Sequence, residues 1–149
     1  MELLDNIKTK ISEITEIKYI DENWGQLDYY SANQPVQWPC CLIDISDIQF
    51  SDIGKDRGKI PVQRQMGNCI VKITIANVRL TNSSERAPIG QKNEAWKVWG
   101  LMEQLHQKIH GYVPIKNSSA MIRQNLQRTL RDDGVQEYTL AYQVEIQNV

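Results

Sequence analysis

The chain has 149 residues, 41% of them hydrophobic and 23% charged, with a formal net charge of −1. That is the size and balance of one globular domain, residues 1–149, able to bury a core without staples. No apolar run approaches the roughly 20 residues that a membrane-spanning helix needs, and near-neutrality argues against a general affinity for nucleic acid.

Three cysteines, Cys40, Cys41 and Cys69, are an odd number, and two are neighbours whose side chains would point to opposite faces of a strand. Neither a disulfide framework nor a zinc spacing is present, so they are expected to pack reduced, as small hydrophobes. The start, Met1-Glu2-Leu3-Leu4-Asp5, lacks the basic and apolar regions of a secretory leader, which places the chain in the cytoplasm of the cell that makes it. Charge is unevenly distributed. Residues before Gly54 carry ten Asp/Glu and three Lys/Arg, about −7, and the remainder eight and fourteen, about +6. Either the halves interleave and the asymmetry vanishes, or the molecule has one acidic and one basic flank, suited to head-to-tail association.

Leu4, Ile7, Ile11 and Ile14, with Leu3 and Ile17 beside them, form one apolar stripe and predict a helix of about four turns. Residues 18–39 show no steady period. A short extended piece is expected near residues 18–20, then an ordered loop containing Trp24, Tyr29 and Tyr30 and broken by Pro35 and Pro39. Its aromatics pack either on the domain's own core or on a partner.

Residues 40–50 read as a strand, with Cys41, Ile43 and Ile45 alternating with Leu42, Asp44 and Ser46. Residues 51–68 read as a long loop, punctuated by Gly54, Gly58, Pro61 and Gly67 and carrying Lys55, Arg57, Lys59 and Arg64 against Asp52 and Asp56. Loops of this length are uncommon in compact domains and are often functional, which makes this segment the first candidate for a partner contact. Residues 69–80 are a second strand, with Val71, Ile73 and Ile75 on one face. The switch to Val78 and Leu80 implies a bulge or a change of cover. Together the two strands and their loop make an extended hairpin.

A polar connection over 81–92 leads to a second helix, capped by Asn93 and ending at His110 with Gly111 in the stop position. Ala95, Val98, Met102, Leu105 and Ile109 form its main stripe, and Trp96 and Trp99 widen it beyond what a sheet covers, so a second element or subunit should touch that flank. Residues 121–130 and 137–147 predict a closing hairpin around Asp133-Gly134. Its last strand alternates cleanly. Its partner groups Ile122, Leu126 and Leu130 with Gln124 and Arg128 on one face, and its other face is polar, either solvated or lining an assembly surface. The expected architecture is α+β, a mainly antiparallel sheet of about four strands with two amphipathic helices packed on it.

Chemistry-bearing patterns are weak. His106 and His110 have metal-compatible spacing but lack the glutamate of a zinc hydrolase helix, and they read as a structural pair. The segment Gly54-Lys55-Asp56-Arg57-Gly58-Lys59 is one residue short of a phosphate loop, with Ile60 where Ser or Thr should hold magnesium. Asn82 and Asn117 match a glycosylation acceptor but are read as loop residues. Arg123, Arg128 and Arg131 do not form one row on a regular strand, so no nucleic-acid stripe is present. No nucleophile–His–acid spacing is recognisable, and no catalytic residue, metal or cofactor is expected.

The N-terminal stripe Leu4, Ile7, Ile11, the segment Trp24-Gly25-Gln26-Leu27, the entry Trp38-Pro39-Cys40-Cys41-Leu42-Ile43-Asp44 and the hairpin Arg131-Asp132-Asp133-Gly134-Val135-Gln136-Glu137-Tyr138 follow one another in a layout. It resembles the tail terminator (tail completion) proteins of long-tailed bacteriophages and prophages. The resemblance implies a sheet backed by helices with an extended hairpin between early strands. It also implies a non-enzymatic virion protein, assembled in the bacterial cytoplasm. Copies of it would form a ring, commonly a hexamer, on the tail tube, ending tube polymerisation and presenting a face to the head's connector while DNA passes through the hole. Partners are then the chain itself, the tube protein and the connector, with no membrane. The interface candidates are Lys55, Asp56, Arg57, Lys59, Arg64, Trp96, Trp99, Arg123 and Arg128. The alternatives are a head–tail joining or head-closure protein, and a non-viral small-ligand or regulatory binding module.

Overall fold

Alternation of apolar and polar residues and two amphipathic helical stretches decide the architecture. The computed structural model describes residues 2–30, 36–79 and 83–149. In chain order the elements are α1 (Glu2–Ile11), β1 (Tyr19–Glu22), a 3-10 turn at Gln26–Asp28, β2 (Cys40–Lys55), β3 (Gln63–Val78), α2 (Ile89–Ala95), α3 (Lys97–Ile109), β4 (Ile122–Thr129) and β5 (Val135–Ile146). They form one open five-stranded sheet in the order β1-β2-β3-β5-β4. Only the β1–β2 pair is parallel; the other three are antiparallel.

One face of the sheet carries the main core. Cross-strand rows run Cys41–Ile75–Tyr138, Ile43–Ile73–Leu140 and Ile45–Val71–Tyr142, and continue with Ile48–Cys69–Val144. Leu4, Ile7 and Ile11 of α1 and Val98, Leu101, Leu105 and Ile109 of α3 pack on them. Each row takes one residue from each of the three central strands β2, β3 and β5, so the period-2 pattern and the pairing register reinforce one another. Among the described residues the opposite face is covered at one end only, where Leu27, Cys40, Leu42, Ala76 and Val135 cluster under Tyr30, Val36 and Trp38. Tyr30 and Trp38 meet edge to face with ring centroids 5.2 Å apart. The aromatic loop therefore covers its own domain in part, while Trp24 and Tyr29 stay exposed. Val78 pairs with Val135 without a register shift, so the switch of apolar side there is a change of cover and not a bulge. Pro35, Leu80 and Asn82 lie outside the described residues.

The structure departs from the sequence-based expectation in four places. The sheet has five strands, because Tyr19–Glu22 adds beside β2 in parallel. The first helix stops at Ile11, and tight turns, with Ile14 N–H bonded to the Ile11 carbonyl and Ile17 N–H to that of Ile14, still deliver Ile14 and Ile17 to the core. A shared apolar stripe thus did not require a continuous helix. The second helix is two, α2 and α3, joined at Trp96, and it begins at Ile89 after Pro88, so Asn93 lies inside α2 and caps nothing. The proline's fixed φ suits a helix start as well as a polar cap does.

The fourth departure matters most. Residues 51–68 are not a long loop. Strands β2 and β3 stay paired out to Lys55 and Gln63, and only residues 56–62 turn. Gly54 and Gly67, which read as breaks, serve the pairing. Gly54 sits at φ 112° beside an irregularity between Asp52 and Gly54. Gly67 lies opposite Phe50, where a Cβ would stand 3.1 Å from the Phe50 ring. A glycine in a strand can thus mark a close approach instead of an end.

Candidate assembly surfaces

Pairing without a covering layer turns the outer hairpin into an arm. The stretch from Gln49 to Lys55 spans about 20 Å at strand rise. Phe50, Ile53, Ile60 and Val62 are exposed along it, Ile60 at 97%. The turn is held by the Asp56 N–H bonding the Val62 carbonyl at 2.8 Å and by the Asp56 carboxylate accepting the Gly58 N–H at 3.0 Å. Lys55, Arg57 and Lys59 are exposed around it. Arg64 differs: its guanidinium donates to the Asn148 side chain at 2.7 Å, the Asn148 carbonyl and the Pro61 carbonyl at 3.0 Å, and it is buried. Gln65 and Val149 exchange backbone hydrogen bonds at 3.0 and 2.9 Å. Arg64 thus bolts the C-terminal residues to the arm and stiffens its distal end beside the turn. A phosphate cradle cannot form here, since Gly54 and Lys55 belong to a paired strand.

A second surface lies at the other side of the sheet. Among the described residues nothing pairs with the outer side of β4, and every residue of that strand is exposed. The register shifts between Arg123 and Asn125. That bulge at Gln124 overturns the expected grouping. Arg123 pairs with Tyr142, Leu126 with Leu140 and Arg128 with Tyr138, which puts Arg123, Leu126 and Arg128 on the helix-covered face and moves Ile122 to the opposite one. The core rows therefore run out to the edge through an Arg–Leu–Arg series. Arg128 lies over the Tyr138 ring at 5.7 Å, and Trp99 rests on the same tyrosine at 4.9 Å between centroids. Trp96 and Trp99 are both half exposed. An open groove of about 480 Å³ separates α3 from β4, lined by Trp99, Met102, Glu103, His106, Arg123 and Leu126. Arg131 belongs to neither surface: it is turned inward against Asp28, Asp133 and Glu137.

His106 lines that groove, with His110 beside it one helical turn on. The two rings lie 4.6 Å apart; Nδ1 of His106 is 3.2 Å from the Tyr142 hydroxyl, and Nδ1 of His110 accepts the Arg123 N–H at 3.2 Å. Among the described residues no three His, Cys, Asp or Glu side chains gather as a metal site. Burial, then the Arg123 charge and His110, hold His106 below the usual imidazole range, while burial pushes Tyr142 up to about 12. Because the folded His106 resists protonation, the unfolded chain binds more protons as pH falls from 6.5 toward the lower folded value. Stability should therefore be complete above that window and decline through it. Urea midpoints at pH 7.5 and 5.5 measure this, and His106→Gln should shrink the difference. The cysteines are inert by the same physics: burial raises Cys40 to about 12 and Cys69 to about 11, and Cys41 further still.

What sequence reasoning missed was the parity of β4. Only the bulge makes a row of Arg123 and Arg128, and nothing in the residues 122–129 announces it.

No family model matches the chain, and no curated protein matches it. Among solved structures, a chain of the "Virion of native gene transfer agent (GTA) particle" superposes with a TM-score of 0.49 at 5% identity, covering 95% of this chain and 92% of that one. A likeness of that size assigns neither family nor function.

Proposed function

We propose that this chain is a structural protein of a phage or prophage tail, a tail terminator that forms a ring on the tail tube, ends its polymerisation and offers the surface for head–tail joining. The observation that carries the reading is the arm. The hairpin extension, flanked on its β3 side by the C-terminal residues, holds Phe50, Ile53, Ile60 and Val62 exposed beside a cationic turn. Apolar side chains held that far from a core are stabilised only by a partner. The layout of the sequence, with its likeness to tail terminators, supports the same reading. The work is contact, not catalysis: neighbouring copies, tube protein and connector are the partners, and DNA passes through the ring.

The test is tube capping by purified protein, read as tube length in electron micrographs. The unaltered chain should shorten polymerising tubes and appear as a ring at their ends. Changing Ile60→Asp and Val62→Asp together should abolish capping while moving stability by no more than about 0.5 kcal/mol, since both sites are exposed. Normal tube lengths in the presence of the unaltered chain would overturn the assignment. Rings seen only on head connectors would transfer it to a head-closure role.

A further inference from the structure

We infer that copies of this chain join edge to edge, β4 of one copy adding to the outer edge of β2 in the next, so that a single sheet continues around the ring. The inference rests on the proposed ring and names its seam.

Three observations converge. First, both edges are open. β1 covers β2 only from Cys40 to Ile43, so the rest of β2, from Asp44 to the end of the arm, offers unpaired backbone on its outer side among the described residues, as β4 does. Unpaired strand edges accept another strand. Second, the charges are opposite. From Asp44 to its end, β2 carries Asp44, Asp47 and Asp52 against the single cation Lys55 at the tip, whereas β4 carries Arg123 and Arg128 and no acid. The charge asymmetry of the sequence thus lands on two opposite edges of one sheet. Like edges repel, which disfavours a two-fold dimer, and unlike edges attract, which favours a heterologous series that closes as a ring. Third, the directions agree. Following the pairings across the sheet, β1, β2 and β5 run one way and β3 and β4 the other. A neighbour kept in the same orientation therefore meets β2 with an antiparallel β4, and the helix-covered faces stay on the same side.

Side chains set the register. On the helix side β4 offers Leu126, exposed at 40%, and β2 offers Phe50, exposed at 54%. Placing Leu126 opposite Phe50 brings Arg123, through the bulge at Gln124, opposite Asp52. It also places Gln127 opposite Gln49.

Two sets of variants test the seam. Arg123→Glu with Arg128→Glu makes both edges acidic; Asp47→Lys with Asp52→Lys makes both basic. Each alone should associate roughly tenfold more weakly than the unaltered chain, because the positions of Arg123 and Asp52 then face each other with like charge, while those of Arg128 and Asp47, opposite Ile48 and Thr129, add only to the charge of each edge. An equimolar mixture should recover the mass of the unaltered assembly by light scattering. Association of either variant at unaltered strength, or a mixture no larger than its components, overturns the seam. In a separate chain, Gln49→Cys with Gln127→Cys reads the contact directly, in solution or on tube ends. These positions lie three strand spacings apart across the sheet and six residues apart along it, roughly 25 Å within one copy, so a disulfide can form only between copies. A covalent ladder on oxidation is expected. Monomer bands alone, from a double-cysteine chain that still caps tubes, overturn the seam and leave the ring standing; failure of the unaltered chain to cap tubes overturns the ring itself.

Discussion

Truncating Ile73 to alanine should lower stability by about 3–4 kcal/mol, the largest single effect expected in this molecule. Ile73 is wholly buried in the central strand β3, between Ile43 of β2 and Leu140 of β5, with the helices above it. One methylene and two methyl groups vanish from a place that the flanking strands and the helices hold open. Paired strands cannot close together without breaking ladder bonds, so collapse into the cavity is poor and the cavity term adds to the transfer term. Against a typical total of about 5–15 kcal/mol, that is a large fraction. Urea unfolding followed by circular dichroism measures it, with the slope unchanged if only the folded state is affected. A loss under about 1 kcal/mol would show that the row is loosely packed.

The second large effect is expected at Arg131. Its guanidinium donates to Asp133 at 2.8 Å, to Glu137 at 3.1 Å, to Asp28 at 3.3 Å and to the Leu27 carbonyl at 2.7 Å. The side chain is 13% exposed, and so is that of Glu137. One cation thus ties the turn between β4 and β5 to the loop that covers the second face of the sheet. The Arg131→Met change keeps the stem but leaves Glu137 half-buried with no counter-charge. About 2–3 kcal/mol should be lost, mostly as the cost of that orphaned carboxylate. Changing Glu137→Gln in the same chain should restore part of the loss, and a double-mutant cycle measures the coupling. The acid side follows. The hydrogen bond from Arg131, then that from the Val135 N–H, holds the Asp133 carboxyl well below its usual range. The unfolded carboxyl takes up its proton first as pH falls, so this contribution is present above 3.8 and fades below it. The Arg131→Met variant should show a flatter acid limb.

Both predictions concern the folded body, and neither touches the exposed residues on which assembly is argued. Capping and seam variants can therefore be read without interference from stability, provided their urea midpoints match the unaltered chain.

Particular residues show where sequence reasoning reached and where it stopped. Local pattern was enough for the α+β class, for the alternating faces of 40–45, 69–78 and 137–146, and for the stripe from Leu4 to Ile17; beyond Ile45 a bulge, which the pattern did not show, resets the parity of β2. In each, one face is apolar, and burial of that face leaves little choice. Local pattern failed where an element is held by its partner instead of its own composition. The outer hairpin is the clearest case. Residues 51–55 and 63–68 are polar and glycine-marked, yet they stay paired because β2 and β3 supply each other's hydrogen bonds and Arg64 ties the distal end to the C-terminal residues. β1 is four residues long and exists only because Cys40–Ile43 offers it an edge.

The candidate surfaces divide the same way. By itself the sequence determined that acid lies early, base late, and tryptophan on one flank of a helix. Those facts are properties of residues and need no partner. Tertiary structure alone decided that the acid and the base fall on opposite open edges. The strand order places β2 near one side and β4 at the other, and a single bulge at Gln124 turns Arg123 to the face of Arg128. Strand order and register are set by long-range pairing between segments tens of residues apart, and side-chain parity flips with every one-residue shift, so no local window of the chain contains that information.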